Sequence, residues 1–267
     1  MNIDKVRRTV IVISLSNFLL VALGIAHAQD ALVRIATHMS LERNVITQHE
    51  PVILKITFDN PSERGVVVNF GYEDEKIDAK IFDPEGAEFS KPRPVKSGWN
   101  SPDIFSVSPS ATSSGLVALN RWFDFEKTGS YRIKVTLSPA SSAKEPFPYA
   151  ISNNSATLDL TVLPRDERSL ESTCADLLAR TEDLQSSAQA MTAARALSRV
   201  NDPIAVPYLA AALKSNEFKG LMIDALSHLR TEKAIEALIS ASRSSDPETK
   251  ALARSALVGL GVTQSAK

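Results

Sequence analysis

Cysteine is all but missing: Cys174 is the single one in 267 residues, so no intramolecular disulfide can form. That excludes the small disulfide-stapled class. Histidine is nearly as scarce, and none of His38, His49 and His228 has a second ligand at metal spacing, which argues against a zinc site. No glycine-rich loop is present to cradle a phosphate, and no G-x-S-x-G turn offers a hydrolase nucleophile. Ser141-Ser142-Ala143-Lys144 matches S-x-x-K in letters only, since it lies in a Ser/Pro-rich loop rather than at a helix start. Neither sign of charge dominates, with 30 basic and 31 acidic residues interspersed along the chain. A nucleic-acid or anionic-membrane partner calls for a concentrated basic face, which the sequence lacks. The acidic run Glu73-Asp74-Glu75 with Asp78 lacks the spaced order of a calcium loop and reads as a solvated edge. No cofactor, no metal and no enzymatic activity are therefore expected.

What the chain does contain begins at its N-terminus. Lys5, Arg7 and Arg8 precede a mostly apolar stretch from Thr9 to Ile25, and Ala26-His27-Ala28 supplies the small residues a signal peptidase inspects. This is the secretory pattern, with cleavage near Ala28. A retained membrane anchor is the competing reading. Against it, Ser14, Ser16 and Asn17 interrupt the stretch, which falls short of the roughly 20 apolar residues needed to cross a bilayer. Loss of residues 1–28 removes three bases and one acid from a chain of net charge −1, leaving the mature form mildly acidic. An exported chain without disulfides suits a bacterial periplasm or exterior, and its length is ample for one or two unstapled cores.

Between residues 29 and 163 the apolar period is two. Val52, Leu54, Ile56 and Phe58 alternate with Lys55 and Thr57, and the run stops at Asp59-Asn60-Pro61. Ile77, Ala79 and Ile81 do the same before Asp83-Pro84-Glu85-Gly86, as do Tyr131, Ile133, Val135 and Leu137, and then Leu158, Leu160 and Val162 before Pro164. Weaker candidates are Leu32–Thr37, Gly65–Phe70, Asp103–Val107 and Gly115–Leu119. Short strands separated by Pro, Gly, Asn and Asp turns predict an antiparallel β-sandwich, wet on one face.

From residue 164 to 267 the period becomes helical. Leu170, Cys174, Leu177 and Leu178 form one helical stripe, where Cys174 reads as a small core residue. Ala225-Leu226 and Leu229 repeat as Ala256-Leu257 and Leu260 at an offset of 31, while Val206 and Leu209 repeat as Ile235 and Leu238 at 29. A repeat near 30 residues of paired amphipathic helices is the mark of an α-solenoid. Asp202-Pro203 and Asp246-Pro247 each offer an N-cap followed by proline.

The segment from about Ser187 to Gly261, through DPIAVPYLAAALKS, KAIEALISAS and DPETKALARSALVGLG, resembles the short HEAT-like repeats. The β region, through EPVILKITFDN and the Thr128-Gly129-Ser130-Tyr131 turn, resembles an exported immunoglobulin-like domain without the inter-sheet cysteines. The expected fold is a multidomain all-β plus all-α chain: an immunoglobulin-like β-sandwich followed by a short HEAT-like helical-hairpin stack. The HEAT-like resemblance implies a scaffold that recruits partners. A stack this short needs a neighbour for its first helices, so a domain interface is expected near residues 163–180, with Leu170 and Leu177 in or near it.

Two surfaces qualify for binding. Aligned repeat copies place Arg195, Arg199, Lys219, His228, Lys250 and Arg254 toward a shared groove suited to an acidic peptide or protein segment. The alternative is the strandless segment Phe89–Pro102, where Lys91, Arg93 and Lys96 flank Trp99, an arrangement suited to stacking on a glycan or anchoring in a partner. Trp122, Phe123, Phe125 and Tyr131 read as core or sandwich-end packing.

Overall fold

The computed structural model describes residues 33–69, 77–90, 104–138, 149–182, 187–214 and 217–262. The N-terminal half is β-rich. Its strands are β1 (Val33–Leu41), β2 (Val45–Thr47), β3 (Ile53–Asn60), β4 (Val66–Asn69), β5 (Ile77–Phe82) and β6 (Glu88–Ser90). They continue as β7 (Ile104–Val107), β8 (Ala111–Ala118), β9 (Gly129–Leu137), β10 (Tyr149–Ser152) and β11 (Ser155–Leu163). One sheet has the order β10-β1-β3-β8, a second β2-β11-β9-β5-β6, and β4 pairs with β7 alone. Ile35, Leu54, Ile56 and Phe58 of the first sheet and Ile77, Ile133, Val135 and Leu160 of the second share one core.

All eight alternating runs appear as strands, but the purely antiparallel expectation is corrected. β1 lies parallel to β10, and β2 parallel to β11. The β1–β2 segment leaves the first sheet for the second, and the β10–β11 segment makes the same crossing beside it. Alternation reports which face is buried and says nothing of strand direction, so a pairing between segments more than a hundred residues apart left no trace in it. Strands β2, β6 and β10 were also unanticipated, being too short to show a period. At the start of β9 only glycine fits: Gly129 has φ 129°, and a Cβ there would lie 2.8 Å from Pro84.

The C-terminal half is helical: α1 (Glu167–Thr181), α2 (Ser187–Leu197), α3 (Val206–Ala212), α4 (Lys219–Leu229), α5 (Glu232–Ala241) and α6 (Pro247–Gly259). Asp166, Thr231 and Asp246 each cap the helix that follows, by accepting a backbone N–H. The helices pair as hairpins α1–α2, α3–α4 and α5–α6. Helices α1, α3 and α5 pack in succession as one layer, and α2, α4 and α6 as the other.

The two halves meet on the outer face of the first sheet. Ile53 of β3 pairs across to Ala118 of β8, and both are buried with Leu170, Cys174 and Leu177 in the helical core. Their chain neighbours Leu54 and Val117 point the other way, into the sheet-to-sheet core. The alternation holds here, but both faces are apolar. Helix α2 runs along β8, whose Leu116 carbonyl accepts a hydrogen bond from the Thr192 hydroxyl at 3.1 Å. An otherwise exposed strand edge is thereby covered.

Burying a charge at this seam is costly without a partner. Ile53→Asp is expected to destabilise the chain by at least about 3 kcal/mol in urea unfolding at neutral pH. The control Val67→Asp, at a position 51% exposed, is expected to stay within about 0.5 kcal/mol of the parent. Equal effects of the two substitutions would contradict the docking face.

Candidate functional site

The chain entering β3 passes through His49, held at φ 71°, and Pro51. Between them stands Glu50, whose side chain is inaccessible to solvent. Its Oε1 accepts from the Ser169 hydroxyl at 2.7 Å, the Thr173 hydroxyl at 2.8 Å and Arg43 Nη1 at 3.2 Å. Its Oε2 accepts from the Thr47 amide at 2.7 Å. Ser169 and Thr173 are four apart on α1, so one helical face supplies both donors across the seam. Burial by itself pushes the Glu50 carboxyl up. The hydrogen bonds from Ser169, Thr47 and Thr173 and the Arg43 charge outweigh that and hold it below the usual carboxylate range.

Two further ion pairs cross the junction. Arg165, in the linker between β11 and α1, grips the buried Asp202 through Nε at 2.6 Å and Nη2 at 3.2 Å. Arg180 of α1 meets Glu42 through two contacts of 3.1 Å. A cleft of about 300 Å³ opens here, lined by Glu42, Arg43, Ile53, Thr173, Leu177 and Arg180. Both of its guanidiniums are engaged by carboxylates, so it holds the halves together and offers no free charge to a ligand. Cys174 is buried in the helical core, and burial pushes its thiol up to about 12, far from a reactive thiolate.

The six cations expected to share a groove are divided by the structure. Lys219 must be reassigned: it is 5% exposed, with Nζ 2.6 Å from Asp246, the cap of α6. The first residue of α4 sits against the N-terminus of α6, the second helix of the next hairpin, where its charge is paired. Arg199 follows the end of α2 and lines a small crevice with His49, Asn120, Asp124 and Glu126, facing the β-rich half. Arg195 is half-buried on α2, the helix that packs on β8. His228 is exposed on α4, with Nδ1 2.8 Å from the Asp224 carbonyl. Lys250, half-buried, and Arg254, exposed, lie on α6 beside α4. Of the six, His228 on α4 and Lys250 and Arg254 on α6 lie on helices that pack side by side.

Lys91, Arg93, Lys96 and Trp99 lie outside the described residues, as do the N-terminal 32, Glu73-Asp74-Glu75 and Ser141–Lys144. Phe89, which precedes that loop, is 49% exposed. It lines a pocket of about 430 Å³ at the end of the sheets with Trp122, Phe123, Asp124, Glu126 and Tyr131. The aromatic cluster therefore does both things: Phe123 and Phe125 fill the core, while Trp122 also walls a cavity. The signal for this was the alternation in Trp122-Phe123-Asp124-Phe125-Glu126. Among the described residues, no group of three or more His, Cys, Asp and Glu side chains is placed to hold a metal. No described helix is long and apolar enough to cross a membrane.

Residues 190–215, covering most of α2 and all of α3, match the family model of the PBS lyase HEAT-like repeat. The helical half thus carries a HEAT-like repeat. No curated protein matches the sequence. Among solved structures, a Listeria innocua β-glucosidase in complex with isofagomine is similar at a TM-score of 0.29 and 12% identity, over 49% of this chain and 16% of that one. The CARDB domain of a Pyrococcus furiosus protein gives a TM-score of 0.26 and 14% identity, over 50% of this chain and 94% of the domain. The alkylpurine DNA glycosylase AlkC of Pseudomonas fluorescens, bound to DNA containing an abasic site analog, gives 0.28 and 12%, over 50% of this chain and 31% of that one. At these TM-scores the likenesses bear on neither function nor partner.

Glu50→Ala leaves Ser169, Thr173 and the Thr47 amide without their acceptor. A loss of about 3 kcal/mol is expected at pH 7, measured by denaturant unfolding. Because the folded-state pKa lies below the unfolded value of about 4.3, this stabilisation is complete above that value and is lost as pH falls through the folded one. The gap between parent and variant should therefore close on acidification below about pH 4. A gap independent of pH would contradict the role given to the carboxylate.

Proposed function

We propose that this chain is an exported, non-enzymatic protein-binding scaffold of the bacterial envelope. In this reading an immunoglobulin-like β-sandwich serves as the platform and HEAT-like hairpins as the recognition face. The observation that carries it is the asymmetry of the helical stack. Its first hairpin is sealed against the sheet, while α4 and α6 keep an exposed layer bearing His228, Lys250 and Arg254. Stacked hairpins of this kind present extended surfaces to partners. The partner segment is acidic where it meets Lys250 and Arg254.

Export rests on the N-terminal pattern of a basic start, an apolar stretch and Ala26-His27-Ala28. The non-enzymatic reading draws support from how the buried ionisable groups are used. Glu50, Asp83 and Asp202 are each tied up in hydrogen bonds that hold the fold, and Cys174 is sealed in the core.

Photo-crosslinking in intact cells tests the reading. A crosslinking amino acid at position 254 or 228 is expected to capture the same protein partner, and one at Lys134, on the outer face of β9, to capture none. Arg254→Glu should weaken that capture by about tenfold. Capture from position 134 but not from 254 would overturn it.

A further inference from the structure

The pocket at the end of the sheets is built by a short extended segment with a strict alternation. Phe123 and Phe125 turn inward and are 5% and 3% exposed, so Asp124 and Glu126 are left on the outer side. Phe89 and Trp122 line the same pocket as Asp124 and Glu126. The ring cluster is rigid, with edge-on contacts from Trp122 to Phe123, Phe123 to Phe125 and Phe125 to Tyr131. The volume of about 430 Å³ falls among ordinary ligand sites.

The donors around this pocket are already committed. Lys127 Nζ sits 2.8 Å from Asp83 and also pairs with Glu85. The Tyr131 hydroxyl donates to the Lys127 carbonyl at 3.0 Å and accepts the Lys127 amide at 3.1 Å. Asp124 and Glu126 also line the crevice that holds His49 and Arg199, but among the described residues their carboxylates take part in no hydrogen bond and no ion pair. Among the described residues the pocket therefore combines ring walls with two carboxylates that have no ion-pair partner. A sugar is held by donors and acceptors together, and this wall offers acceptors almost alone. A cation gains from both features, through the ring quadrupoles and through Coulomb attraction to the carboxylates. Trp122 shows the same preference within the chain, since the Arg121 guanidinium lies 5.3 Å from its ring centre.

We propose that this pocket receives an arginine or lysine side chain from a basic segment of a partner protein, with Asp124 and Glu126 holding the charge and Phe89 and Trp122 flanking its stem. The site is independent of the helical face and would add a second contact of opposite charge preference to the same scaffold.

Calorimetric titration of the mature chain with acetyl-Gly-Arg-Gly-Arg-Gly-amide tests it, beside the glutamate counterpart and chitotetraose. The arginine peptide is expected to bind, and the other two are not. Asp124→Asn with Glu126→Gln, both at exposed positions, should weaken binding about tenfold without moving the melting temperature. Raising salt from about 50 to 250 mM should weaken it several-fold. The proposal is overturned if the arginine peptide fails to bind, if the double amide variant binds it as well as the parent, or if chitotetraose binds as tightly as the peptide.

Discussion

The carboxylate of Glu50 is the point on which the two halves of the molecule agree. A buried, ionised carboxylate is tolerable only when its lone pairs are filled. Here the filling comes from both sides of a seam: Thr47 and Arg43 from the β-rich half, Ser169 and Thr173 from α1. If the halves separated, the charge would return to water, and Ser169 and Thr173 would lose the acceptor they share. The bond pattern also fixes the rotation of α1, because only one face of that helix carries hydroxyls four residues apart. Leu170, Cys174 and Leu177 are thereby turned toward Ile53 and Ala118.

The first hairpin of the stack cannot bury its apolar stripe alone. The sheet supplies the missing neighbour. That demand is visible in β3 and β8, which are apolar on both faces where they meet the helices, and in α2, whose Ala190, Ala193, Ala194 and Ala196 are all buried. Small side chains let α2 lie close to β8 and the helices around it. The part of the stack nearest the sheet is thereby covered, whereas Asp224 and His228 of α4 and Arg254 of α6 stay exposed.

Much of this was legible in the chain. The switch from period two to helical period near Pro164 marks the change from strands to helices, and the Asp-Pro pairs mark where two of the later turns begin. The double-faced runs Val52-Ile53-Leu54 and Leu116-Val117-Ala118-Leu119 also announce a second layer on that sheet, although alternation alone suggested one wet face. Other features left no such mark. Parallel pairing of β1 with β10 is a property of distant segments, and β2, β6 and β10 are shorter than any period. Glu50 is a lone acid at a strand entrance, whose role is set by hydroxyls more than a hundred residues away. Lys219 aligns with Lys250 in the repeat, yet Lys219 is buried against Asp246 at the start of α6, whereas Lys250 is half-buried. Repeat phase gives the face of a helix and cannot give its neighbours.

A seam held by Glu50 requires the β-rich half and the helical stack to unfold as one body. Scanning calorimetry of the chain measures this directly. A single transition with equal calorimetric and van't Hoff enthalpies is expected, and it should resolve into two when Glu50 is replaced by alanine. Two transitions in the unaltered protein would contradict it.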